Sequence, residues 1–326
     1  MDFKDITAVV ADDFNAVDAY ITHHLNTNVP LIREIGEHII SGGGKRLRPL
    51  VGLLCARAYG YQGSQHIDIA AIIEFLHTAT LLHDDVVDES DMRRGRPTAN
   101  AVWGNAASVL VGDFLISRAF ELLVKIRNFH VLDILSASTN VISEGEVLQM
   151  LNSRNPSTTE EQYMRVIHHK TAKMFESAAE TGAVLMAQND QEVAHIRGTL
   201  GAYGRHLGIA FQLVDDVLDY TGDAELLGKN VGDDLAEGKP TLPLIYAMRE
   251  GTPQQAELIR QAILNSDVDK LDEVVTIVQK VGGLDYTQKA AEHQTQLAID
   301  AISQLSHSSY KEALIHLAHQ ASQRKH

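Results

Sequence analysis

Apolar residues recur along most of this chain at intervals of three and four, the repeat of one face of an α-helix. Nowhere does a series of alternating, β-branched segments bounded by turn residues suggest a sheet. Pro30, Pro49, Pro97, Pro156, Pro240, Pro243 and Pro253 are the only prolines, and the stretches between them are rich in helix formers. The pattern predicts helices over roughly 3–26, 30–41, 47–60, 65–88, 99–126, 129–151, 159–187, 190–221, 240–249, 253–264, 268–280, 284–304 and 309–322. Two of them are apolar almost all round. One carries Ile67, Ile69, Ala70, Ala71, Ile72, Ile73, Phe75 and Leu76; the other carries Leu207, Ile209, Ala210, Phe211, Leu213, Val214, Val217 and Leu218. Such helices belong at the centre of a bundle. Both end in acidic clusters.

The expected fold is therefore all-α. A length of 326 residues would suggest two domains, but no linker or shift of composition divides the chain, so one domain over 1–326 is expected. The tail from Gln320 to His326 is expected to fray. Cys55, the single cysteine, lies in an apolar run and reads as a small buried side chain, which suits the reducing cytoplasm. No signal peptide and no membrane-spanning stretch is expected. The net charge of −15 argues against nucleic acid as a partner. It also makes two basic clusters conspicuous, Lys45-Arg46-Leu47-Arg48 and Arg93-Arg94-Gly95-Arg96.

The acidic clusters carry the chemistry. In Asp84-Asp85-Val86-Val87-Asp88, Asp84 and Asp88 share one helix face. Two aligned carboxylates at a buried helix end repel unless a cation sits between them. Oxygen-only ligands suit Mg²⁺, which takes its remaining ligands from water and phosphate. One such cluster reads equally as a solvated helix end. Asp215-Asp216-Val217-Leu218-Asp219 repeats the spacing on the second apolar helix. Two acidic faces of this kind could clamp a diphosphate through Mg²⁺ across one cavity. Arg93 and Arg94 follow the first cluster closely, and guanidinium groups match phosphate oxygens. Gly42-Gly43-Gly44, just before Lys45, would let backbone approach an anion.

Gly43-Gly44-Lys45-Arg46-Leu47-Arg48-Pro49, Leu81 through Arg94-Gly95, Lys170-Thr171, Phe211 through Asp219, Gly228 through Asp234 and Gly238 through Pro243 together resemble the ordered motifs of trans-isoprenyl diphosphate synthases. The likeness runs from about residue 30 to the C-terminus. Glu144-Gly145-Glu146-Val147-Leu148-Gln149 is similar to long-chain members, whereas Arg96-Pro97 departs from the usual Lys-Ala. The resemblance implies a helical bundle of the isoprenoid synthase type around a central active-site cavity. It implies a prenyltransferase that condenses isopentenyl diphosphate onto an allylic diphosphate such as farnesyl diphosphate. Two to three Mg²⁺ ions would be bound by Asp84, Asp88 and Asp215, with Asp85, Asp216 and Asp219 in support. Arg93, Lys170, Thr171, Gln212 and Lys229 would grip the allylic diphosphate, and Lys45, Arg48, His77 and Arg94 that of isopentenyl diphosphate. His77 by itself would read as a satisfied core histidine. The released diphosphate would remove the proton.

Chain length is expected to be set along the helix before Asp84. Leu76, Ala79 and Thr80 would line the tunnel; the small Ala79 and Thr80 suit medium or long products, and the resemblance implies an octaprenyl one, made for a quinone side chain and delivered to the membrane. Geranylgeranyl, hexaprenyl and solanesyl products are the alternatives of length. A terpene cyclase is disfavoured by the second Asp-Asp-x-x-Asp. A non-catalytic subunit of a heteromeric synthase is disfavoured by the full set of acidic and basic residues; a helical binding protein would show Mg²⁺-dependent diphosphate binding without turnover. The family implies a homodimer.

Overall fold

The computed structural model describes residues 1–42, 44–221 and 232–324. In chain order the helices are α1 (Phe3–Ala8), α2 (Ala11–His24), α3 (Pro30–Ile40), α4 (Leu47–Tyr59), α5 (Gln65–Val87), α6 (Ala99–Trp103), α7 (Asn105–Ile126), α8 (Phe129–Asn152) and α9 (Glu160–Ile167). There follow α10 (Lys173–Val184), α11 (Asp190–Ile196), α12 (Ala202–Thr221), α13 (Asp233–Ala236), α14 (Leu242–Glu250), α15 (Pro253–Asn265), α16 (Leu271–Val281), α17 (Gly283–Ala301) and α18 (Ser309–Gln323). The described strands are two-residue pieces, β1 (Met92–Arg93) and β2 (Arg96–Pro97), paired antiparallel. The all-α expectation holds.

The chain divides into two compact units. The first comprises Met1–Thr139, Met174–Gly204 and Ile299–Leu317; the second comprises Asn140–Lys173, Arg205–Ala298 and Ala318–His326. In the first unit α5 is the hub, packing most extensively on α7 and also on α4 and α2. Its buried positions include Ile69, Ile72, Ile73, Phe75, Leu76 and Ala79, which the nearly continuous apolar run requires of a central helix. The approach of α5 to α7 is close. The Ser108 hydroxyl donates to the Leu82 carbonyl at 2.9 Å, and a Cβ on Gly112 would lie 2.3 Å from His83 Nε2. The second unit has two apolar cores. One joins Tyr163 and Ile167 to Ile209, Leu213, Leu218 and Leu242. The other joins Tyr220 and Leu244 to Ile259, Ile263, Val274 and Val278 on α15 and α16.

Four expected helices are interrupted, 190–221 among them. The segment 3–26 turns at Val9 and Val10, in a β-branched stretch poorly suited to a helix interior. The segment 99–126 breaks at Gly104, whose φ of 84° suits glycine. The long segment 159–187 contains a π-helical turn at His168–Ala172, and another lies at Arg197–Gly201. The tail expected to fray is ordered as far as it is described: α18 reaches Gln323 and buries Ala321 and Ser322.

Candidate active site

The first acidic cluster occupies the C-terminal end of α5, with Asp88 as its C-cap. Carboxylates there face the negative end of the helix dipole, so they call for cations. The helix stops in a Schellman-type cap: Glu89 adopts φ 53° and the Ser90 N–H reaches the Asp85 carbonyl at 2.9 Å. The chain then forms the β1–β2 hairpin, whose two-residue turn is Arg94-Gly95 with φ values of 52° and 72°. The hairpin folds Arg93 back. Its Nε and Nη2 both donate to Asp85 Oδ1, at 2.9 and 2.7 Å. Asp85 is buried, while Asp84 and Asp88 are half-buried. Arg93 is thus a partner of Asp85 before it is a partner of any diphosphate. The Arg96-Pro97 variation forms β2, directly after the turn, and the Pro97 carbonyl accepts from His38 Nε2 at 2.8 Å.

Four of the residues expected to hold isopentenyl diphosphate lie in this first unit, and three of them form one cluster. Arg48 Nη1 donates to His77 Nε2 at 3.0 Å, and the Arg48 guanidinium lies 4.5 Å from the centre of the Phe175 ring. Arginine can only donate, so His77 Nε2 is the acceptor and carries no proton. Burial, with Arg48, Arg94 and Arg93 nearby, holds the imidazole well below its usual range. Burial also lowers Arg48, to about 10. A Cβ on Gly44 would lie 2.5 Å from Arg94 Nη1, so the glycine admits a guanidinium where the sequence suggested an anion. Lys45 is exposed beside it. Gly43 lies outside the described residues. Glu74 is an acid in this cluster that the motif reading assigned no part. Burial raises its carboxyl against the pull of Arg46, Arg48 and Arg94, and Oε2 finds no hydrogen-bond partner. Its sequence signal is an acidic residue inside the apolar run of α5, three before His77.

Further up α5, Ala79 and Leu76 are fully buried in the core, and Thr80 is half-buried with its hydroxyl on the His77 carbonyl at 2.8 Å.

In the second unit, the π turn presents Lys170 and Thr171. A Cβ on Gly145 would lie 2.7 Å from the Lys170 backbone nitrogen, so glycine is required where α8 meets the turn. Lys170 Nζ pairs with Glu146 Oε2 at 2.6 Å. The Thr171 hydroxyl donates to Gln212 Oε1 at 2.9 Å, and Gln212 Nε2 donates to Asp216 Oδ1 at 2.9 Å. The other oxygen of Asp216 accepts from the Tyr163 hydroxyl at 2.5 Å. Burial, and then the charge of Asp234, push the Asp216 carboxyl well up; the same burial and Asp216 itself push up the Tyr163 phenol. Asp219 is fully buried and accepts from the Asp234 N–H at 3.2 Å. Only Asp215 of the second cluster is turned outward. It accepts from Arg324 Nη2 at 3.1 Å, and that guanidinium also lies 3.8 Å from the centre of the Phe211 ring. Lys229 lies outside the described residues.

Sequence reading did not find Glu146's role, Tyr163 or Arg324. Tyr163 stands seven residues before Lys170 and Glu146 lies in a noted motif, but Arg324 is 109 residues from Asp215 and carries no local signal.

The donor set suits Mg²⁺. Among the described residues no three carboxylates, imidazoles or thiols converge as a self-sufficient metal cage. Mg²⁺ uses one or two carboxylates when phosphate oxygens and water complete its shell. The Asp84–Asp88 pair at the negative end of a helix dipole, and outward Asp215 on α12, provide that. No described helix is long and apolar enough to cross a membrane.

Residues 29–281 match the polyprenyl synthetase family model. Octaprenyl diphosphate synthase of Escherichia coli (strain K12) is 52% identical over 325 residues, covering 99% of both chains. All-trans-nonaprenyl-diphosphate synthase (geranyl-diphosphate specific) of Rhodobacter capsulatus is 49% identical over 319 residues, 97% of each chain. Among solved structures, polyprenyl synthase from Caulobacter crescentus CB15, complexed with calcium and isoprenyl diphosphate, matches with a TM-score of 0.94 at 40% identity, over 99% of this chain and 98% of that one. With its matched span, its acidic helix ends and its helical fold, the chain belongs to the polyprenyl synthetase family of prenyltransferases.

Proposed function

We propose that this protein is a long-chain trans-polyprenyl diphosphate synthase, formed as one domain over 1–326, that extends farnesyl diphosphate with isopentenyl units to an octaprenyl product for a quinone side chain. The observation that carries this reading is the 52% identity over nearly the whole chain with octaprenyl diphosphate synthase of Escherichia coli.

Asp84 and Asp88 on α5, and Asp215 on α12, would hold two to three Mg²⁺ ions. Bound there, Mg²⁺ supplies charge neutralisation for the allylic diphosphate as its C–O bond breaks. Lys170, Thr171, Gln212, Arg93 and Lys229 hold the allylic diphosphate. Lys45, Arg48, Arg94 and His77 hold the diphosphate of isopentenyl diphosphate. A neutral His77 fits this role because protonation would cost most where Arg48 and Arg94 already crowd it. Asp85, Asp216 and Asp219 support their neighbours from buried positions. The isopentenyl double bond attacks the allylic cation, and the released diphosphate removes the proton. Exposed apolar residues on and just after α7 — Val109, Leu110, Val124 and Phe129 — support a homodimer. The enzyme would work in the cytoplasm and deliver its product to the membrane.

The test combines chain length with the tunnel at Leu76, Ala79 and Thr80. Purified enzyme with Mg²⁺, farnesyl diphosphate and labelled isopentenyl diphosphate should give a dominant C40 product, and Ala79→Phe a shorter one. A different dominant length would overturn the octaprenyl assignment. An Ala79→Phe enzyme that melts lower yet makes the same product would make Ala79 a packing residue only.

A further inference from the structure

Beneath the second acidic helix end, four side chains form one unbroken run of hydrogen bonds. It starts at the Thr171 hydroxyl, passes through the Gln212 amide to one oxygen of Asp216, and ends at the other oxygen with the Tyr163 hydroxyl. Every link has a fixed direction. The threonine donates to the amide oxygen, the amide nitrogen donates to the carboxylate, and the phenol donates to the carboxylate from the other side. Tyr163 and Asp216 are buried. A buried carboxylate oxygen deprived of its donor must move or find another. Asp216 has its two oxygens taken by these two donors, and Asp219 is buried beside the α13 N-terminus on Asp234. The turn of α12 is thereby held with Asp215 outward.

We propose that Tyr163 is a positioning residue of the active site: its phenol locks Asp216, and through Asp216 it orients Gln212 and Thr171 and fixes the turn that presents Asp215. The inference rests on the prenyl synthase reading for the identity of the ligands, Mg²⁺ and a diphosphate. Tyr163 touches neither of them. It acts by connecting the π turn that carries Lys170 and Thr171 to the helix that carries Asp215. A phenol serves where a phenylalanine would not, because the ring packs in the apolar core with Ile167, Leu213 and Leu242 while its hydroxyl meets a carboxylate.

Tyr163→Phe removes the one hydrogen bond and keeps the ring. In wild-type enzyme, turnover of farnesyl and isopentenyl diphosphates tests the functional reading itself. The ratio of variant to wild type tests the inference. Tyr163→Phe should lower kcat by about tenfold and raise the Mg²⁺ concentration for half-maximal rate several-fold, with KM for isopentenyl diphosphate within about twofold of wild type. By calorimetry, Mg²⁺ plus inorganic pyrophosphate should bind the variant several-fold more weakly. Asp216→Ala should weaken that binding as well, and adding Tyr163→Phe to it should change nothing further. A merely structural tyrosine would lower the melting temperature and leave the Mg²⁺ dependence and pyrophosphate affinity of the folded fraction unmoved. That result, or full additivity of the two substitutions, would overturn the proposal. If Tyr163→Phe does not fold, Asp216→Ala alone decides: unchanged pyrophosphate binding would sink the lock.

Discussion

The two acidic helix ends are spelled alike and built differently. In each, the middle aspartate is buried and hydrogen-bonded while the first is turned outward. At the end of α5 the buried member, Asp85, is held by a cation, Arg93, which the following hairpin folds back onto it. At the end of α12 the buried member, Asp216, is held by two neutral donors, Tyr163 and Gln212. The outward members both lie near an arginine. Asp215 is paired with Arg324, and Asp84 lies near enough to Arg93 to help hold that guanidinium charged. The buried carboxylate is held by a cation at one end and by neutral donors at the other. A repeated motif therefore fixes the spacing of carboxylates but not the electrostatics around them.

The largest expected effect treats the two ends as equals. Asp84→Ala and Asp215→Ala should each lower kcat by at least about 10³-fold while leaving the helical content and melting temperature intact. Both are outward residues, so neither substitution opens the core. Turnover of Asp215→Ala close to wild type, beside a dead Asp84→Ala, would show that Arg324 rather than a metal is the true partner of Asp215.

A smaller effect separates the ends. Asp85→Asn leaves Arg93 without its buried carboxylate, and breaking such a pair costs roughly 3–5 kcal/mol. Asp216→Asn keeps an oxygen for Gln212 and an amide for the Tyr163 oxygen, and it removes a buried negative charge that Asp234 opposes. Thermal melting without metal should show Asp85→Asn falling by several degrees and Asp216→Asn staying level or rising. Equal losses would erase the distinction between an ionic and a neutral clamp.

The sequence carries the parts of this arrangement that depend on spacing. The apolar runs of α5 and α12 announce central helices, and the four-residue interval within each acidic cluster announces a helix-borne carboxylate pair. The hairpin arginines were placed correctly on the loop after α5. What lies outside local pattern was invisible. Arg93 could be assigned to a diphosphate because its hydrogen bonds to Asp85 depend on the left-handed Arg94-Gly95 turn. The π turn at Lys170 depends on Gly145, more than 20 residues earlier on α8. The tail reads as frayed because chain ends usually are, yet Arg324 is drawn in by a carboxylate and an aromatic face contributed by α12. Helix breaks at Gly104 and Val9–Val10 were hidden inside otherwise continuous helical periodicity.

The first unit also holds a half-buried carboxylate, Asp13, with no part in the proposed reaction, which sharpens what an ionic clamp implies. Asp13 accepts from Arg57 Nε and Nη2 at 2.7 and 2.8 Å and meets His66 Nε2 at 3.0 Å. Burial raises the Asp13 carboxyl, but the hydrogen bonds from Arg57 and His66 outweigh it and leave it below its usual range. For His66 burial dominates, and the imidazole lies below its usual 6.5 despite Asp13. A histidine depressed in the folded state takes up its proton first in the unfolded chain. Its contribution is therefore intact above about pH 6.5 and is lost as pH falls toward the folded value. Asp13 follows the same direction lower down: its stabilisation is present above about pH 3.9 and fades below it. The effect expected of His66 alone is a shift in melting temperature of about 2 °C between pH 7 and 5.5, in a direction that weakens the acid side. His66→Gln should flatten that part of the slope, with buried His77 retaining its own share. Identical slopes in the two proteins would mean that the triad keeps its charge state through folding, and that the cation-clamped carboxylate behaves no differently from one held by neutral donors.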